Sequence, residues 1–67
     1  MAVARVTTLT ASSQKGFQDA IDQALTRANK TLRNVTGAEV KSQKVKIENG
    51  KVSEYRASLD VTFVLDE

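Results

Sequence analysis

From Tyr55 to Phe63 the chain alternates strictly: Tyr55, Ala57, Leu59, Val61 and Phe63 are apolar, while Arg56, Ser58, Asp60 and Thr62 are polar, and apolar Val64 and Leu65 close the stretch. Side chains alternate across a strand, so this period of two predicts one strand with an apolar and a polar face. A second pattern has helical spacing. Phe17, Ala20, Ile21, Ala24, Leu25, Ala28 and Leu32 recur three and four residues apart, with Gln18, Asp19, Asp22, Gln23, Arg27 and Lys30 on the other side. That is one narrow, alanine-rich stripe on a helix able to lie close to a sheet. Acids come early and bases late along it, the order the helix dipole favours.

The flanking segments complete the outline. Residues 3–10 are rich in β-branched types and predict a first strand, with no clear choice of buried face. Ser12 or Ser13 is placed to cap the helix start, Gly16 falls in its first turn, Asn34 can end it, and Gly37 gives the chain freedom to turn. A second strand runs from Ala38 to Ile47, followed by Asn49-Gly50, the strongest short hairpin signal because both residues tolerate positive φ. Counting back from that turn pairs Ile47 with Val52, Val45 with Glu54, Gln43 with Arg56, Val40 with Leu59, Glu39 with Asp60 and Ala38 with Val61. In this register Val45, Ile47 and Val52 fall on the face away from the helix, as a candidate subunit interface. The fold class is α+β, in the order β-α-β-β. One helix packs on a three-stranded antiparallel sheet whose last strand lies between the other two.

Composition narrows the function. With 67 residues the chain makes a single domain, 1–67, which on its own buries only about 60% of its unfolded surface. There is no cysteine and no histidine, so disulfides, thiolate metal sites and the common zinc sets are absent, and oligomerisation is the remaining way to stabilise so small a core. Nucleophilic catalysis lacks its usual partners for the same reason, and no enzyme is expected. The N-terminal stretch from Met1 to Val6 lacks the apolar run of a signal peptide, and no segment is long enough to span a membrane, so the expected location is cytoplasmic.

Two charged groupings invite a function. Glu39 and Asp60, opposed across the hairpin, repel unless Lys41 or a shared calcium ion relieves them. Lys41, Lys44, Lys46 and Lys51 make the hairpin basic, which suits a soluble edge or phosphate binding. The net charge of +2 is no nucleic-acid footprint, and the three aromatics, Phe17, Tyr55 and Phe63, all fall on apolar faces.

Thr8-Leu9-Thr10-Ala11-Ser12-Ser13 leading into the helix, the run Ala24–Val35, Glu39-Val40 and the closing Tyr55–Leu65 together resemble the dodecins over nearly the whole chain. The resemblance implies a hollow homododecamer. It also implies flavin (FMN, riboflavin or FAD) bound between symmetry-related subunits, stored or sequestered without turnover. In flavin-binding members a tryptophan soon after the helix stacks on the ring system and a glutamine in the last strand hydrogen-bonds it. Here Gly37 stands at the tryptophan position and Arg56 at the glutamine position. The chain is also similar to the tryptophan-free calcium dodecins in its Tyr55-Arg56 pair. The expectation is a storage shell that binds flavin weakly or takes another anionic, nucleotide-like ligand at Gly37, Gln43, Lys44 and Arg56. The alternatives are a calcium-binding structural dodecamer and a small nucleic-acid-binding protein using the hairpin lysines.

Overall fold

A computed structural model describes residues 3–65; Met1 and Ala2, the start of the stretch read for a signal peptide, lie outside the described residues. The order is β1 (Ala4–Ser13), α1 (Phe17–Thr31), β2 (Val35–Glu48) and β3 (Lys51–Val64). The sheet order is β1-β3-β2, and β3 is antiparallel to both neighbours, as the order of elements and the right-handed crossover predict. The core is where the two patterns meet. Ala20, Ala24 and Ala28 of the helix and Ala57, Leu59 and Val61 of β3 are buried, with Leu9, Ala11, Ile21 and Leu25 packed around them. The odd-numbered positions of β1 therefore face the helix. Burying Leu59 and Val61 contributes about 1.5–3 kcal/mol each.

The local starts and stops differ from expectation in three places. Ser12 and Ser13 continue β1, opposite Arg56 and Tyr55, and no side chain among the described residues caps the helix. Gly16 is the N-cap at φ 156° and ψ 175°, a region that only glycine occupies readily. Ser13 acts one step removed: its hydroxyl accepts the Lys15 amide at 2.9 Å and donates to Asp19 Oδ2 at 2.6 Å. The bend after the helix is made by Asn34 at φ 59°, whose carbonyl accepts from the Val64 amide at 3.1 Å. Gly37 makes no turn; it lies inside β2, beside an irregularity in the pairing.

The hairpin turn is as expected, with Asn49 at φ 53° and Gly50 at φ 76°. The register agrees at the tip (Ile47 with Val52) and at the base (Val40, Glu39 and Ala38 with Leu59, Asp60 and Val61), but not between. One extra residue on β3, Ser53, and one on β2, Lys41, shift the middle pairs by one and then restore them. Val45 consequently pairs with Tyr55, on the helix side of the sheet, not with Glu54 on the far side. Ile47 and Val52 follow it onto that face. All three remain exposed because the helix stops short. A 15-residue helix spans about 22 Å, whereas the 14 residues of β3 span about 46 Å. The molecule is accordingly elongated, 52 × 19 × 13 Å, and α1 covers β1 and β3 while scarcely touching β2.

Candidate ligand-binding face

The face turned away from the helix collects the polar residues of all three strands. Antiparallel pairing puts directly opposed residues on the same side, so Ser12 of β1, Arg56 of β3 and Lys44 of β2 form one polar row. The next row toward the base is Thr10, Ser58 and Ser42, where the Thr10 and Ser58 hydroxyls are 3.0 Å apart. Beyond it come Thr8, Asp60 and Glu39.

The Arg56 row is cationic with one carboxylate in it. Glu54, two residues earlier on the same face, accepts from Arg56 Nε at 3.0 Å and lies 2.9 Å from Nη2, both through Oε2. A hydrogen bond from Ser12, the Arg56 guanidinium and the nearby Lys46 ammonium hold the Glu54 carboxyl below its ordinary pKa. Lys46 is opposite Glu54 and 3.4 Å from Glu48. Lys44 has no ion-pair partner among the described residues. An open groove of about 490 Å³ begins at this row and runs to the start of the helix, with Glu54 on one wall and Asp19 on the other. Asp19 is satisfied by Ser13 and by Gln23 Nε2 at 2.8 Å, and those bonds, with Lys15, lower its pKa.

The acidic pair lies in the row nearer the base. Glu39 and Asp60 are directly opposed, and Lys41 Nζ sits 3.9 Å from one and 3.8 Å from the other. Thr8 donates a hydrogen bond to Asp60 Oδ1 at 2.8 Å. Among the described residues, no group of three or more acidic or metal-binding side chains comes together to hold an ion.

Of the four expected ligand-binding residues, Lys44 and Arg56 meet as cross-strand partners. Gln43 does not face Arg56; the extra residue Ser53 moves it opposite Ala57, on the helix side. Gly37 is on the polar face opposite Thr62, six positions from Arg56 along β3, or about 20 Å. A Cβ added at Gly37 would meet nothing within 4 Å. Sequence reasoning missed Ser12 and Glu54. Glu54 was within reach, because a carboxylate two residues from an arginine on one strand shares its face.

The dodecin family model matches residues 3–66. Dodecin from Thermus thermophilus is 42% identical over 59 residues, covering 88% of this chain and 86% of that protein. A crystal structure of a variant of the same dodecin superposes with a TM-score of 0.94 at 39% identity, each chain covered completely at 100%. The structure of calcium dodecin from Mycobacterium tuberculosis, a calcium-chelating antigen with a novel calcium-binding site, gives a TM-score of 0.83 at 26% identity, with 96% of this chain and 91% of that one covered.

Proposed function

The chain belongs to the dodecin family, and on that premise we propose that it assembles into a homododecameric shell that stores or sequesters an anionic, nucleotide-like ligand without chemical turnover. The observation that carries this reading is the opposition of Lys44 and Arg56 on the polar face of the hairpin. An arginine fork beside an ammonium suits a phosphate or carboxylate group. Flavin is held weakly in this reading, because Gly37 offers no ring to stack on, and base–aromatic stacking contributes roughly 1–3 kcal/mol per ring.

Assembly is supported by the mismatch between helix and strand. Val40, Val45, Ile47 and Val52 form an exposed apolar strip along β2 and the hairpin tip, on the face that the subunit's own helix fails to cover. No helix among the described residues is long and apolar enough to cross a membrane, and a cytoplasmic shell is the setting we infer.

Calorimetric titration of the protein with FAD and with riboflavin tests the ligand class. FAD carries a pyrophosphate that riboflavin lacks, so FAD binds more tightly, and Arg56→Ala or Lys44→Ala removes most of that preference. Equal affinity for the two flavins, or an Arg56→Ala protein with undiminished affinity for FAD, would end the anion reading.

A calcium-binding shell is the second reading, supported by the opposed Glu39 and Asp60 and by the calcium dodecin relative. Lys41 weighs against it, since its ammonium already lies between the two carboxylates. Nucleic-acid binding has less support. Lys41 and Lys46 are ion-paired, and the Phe17 and Tyr55 rings are turned toward each other, with centroids 5.2 Å apart.

A further inference from the structure

One edge of the Arg56 guanidinium that can grip an anion is already in use. Nε and Nη2 form one side of the guanidinium, and Glu54 Oε2 lies against both. A phosphate binding in the bidentate manner at this edge needs the same two donors. The two anions are mutually exclusive at that edge.

We propose that Glu54 is a built-in counter-anion that masks the Nε/Nη2 edge of Arg56 in the empty protein and must swing aside for a phosphate-bearing ligand to bind that edge. This rests on the anion-binding reading above and adds the element that sets its affinity. The geometry offers the displaced carboxylate somewhere to go. Lys46 stands opposite it on β2, and the open groove lies beside it toward the helix. The charged groups around Glu54 are Arg56 on its own strand, Lys44, Lys46 and Glu48 on β2, and Lys15 and Asp19 across the groove. Ser12 on β1 contributes the hydroxyl that steadies the carboxylate. The bonds that lower the Glu54 pKa also hold the mask in place.

Swapping the carboxylate for its amide isolates this role, because Glu54→Gln keeps the shape and removes the competing charge. Titrated with FAD at neutral pH as the assembled protein, Glu54→Gln binds about fivefold more tightly than the unaltered chain, the scale of losing one exposed ion pair. The unaltered protein gains affinity as pH falls through the pKa of Glu54, which lies below its ordinary 4.5. Glu54→Gln shows no such gain in that window, and the FAD pyrophosphate diester keeps its charge there. Ser12→Ala, which removes the steadying hydroxyl, moves affinity in the same direction by about twofold, on the scale of one exposed hydrogen bond, and supplies a second variant should Glu54→Gln not assemble. If neither substitution tightens FAD binding while Arg56→Ala still weakens it, the mask is refuted and the anion site survives. If Arg56→Ala also has no effect, both fall together.

Discussion

Glu39 and Asp60 stand directly opposite each other on β2 and β3, and Lys41 reaches within 4 Å of both, at 3.9 and 3.8 Å. Two carboxylates facing across a ladder repel, and an ammonium between them does part of what a divalent ion would do. Adding calcium should therefore leave the melting temperature of the unaltered protein where it is. Lys41→Ala exposes the repulsion and costs about 0.5–1 kcal/mol, or a few degrees for a domain of this size. Calcium should restore part of that loss in the variant. A rise in melting temperature of the unaltered protein with calcium would favour the cation-binding reading instead.

Gly37 marks the place where flavin affinity can be put back. It sits in β2 on the polar face, and nothing lies within 4 Å of an added Cβ. Gly37→Trp should therefore fold and raise riboflavin affinity by roughly thirtyfold, at the middle of the stacking range. Quenching of riboflavin fluorescence on titration reads this out. A folded Gly37→Trp protein with unchanged quenching would separate this chain's ligand site from the one the family resemblance implies.

The hairpin turn is exacting at its second position. Gly50 holds φ 76°, where a Cβ costs about 1–2 kcal/mol. Gly50→Ala should lower stability by that amount in chemical denaturation, whereas Asn49→Gly, at φ 53°, should change it little. The contrast matters because the turn sets the pairing at the exposed tip.

Asp19 couples stability to pH. Ser13 and Gln23 stabilise its ionised form, lowering its pKa from 3.8 in the folded chain. A depressed carboxyl contributes stability that is present above its unfolded pKa and is lost as pH falls through the folded one. Ser13→Ala should melt earlier than the unaltered protein at neutral pH, and the gap should narrow below pH 3.8 as both forms take up the proton. A gap that stays constant through the acid range would mean Ser13 acts only through the Lys15 amide.

Much of the fold could be read from periodicity. The alternation from Tyr55 to Phe63 and the alanine stripe are strong because each repeats many times, and their meeting is the observed core. Asn49-Gly50 located the turn because few residues accept positive φ. The extra residues Lys41 and Ser53 left no such mark, since a bulge needs neither glycine nor proline, and their effects cancel toward the base. That hidden pair is why Gln43 was expected opposite Arg56, a place that Lys44 takes, and why Val45 was put on the wrong face. Ser12 and Ser13 suit a helix cap and a strand end equally well. Only tertiary pairing with Arg56 and Tyr55 decides between them.

A native mass spectrum of the protein as purified from cells tests the central claim most directly, because subunit number and bound mass appear together. The account predicts a homododecamer carrying added mass in multiples of a phosphate-bearing nucleotide or flavin. A monomer or dimer, or a dodecamer whose only added mass is calcium, would contradict it.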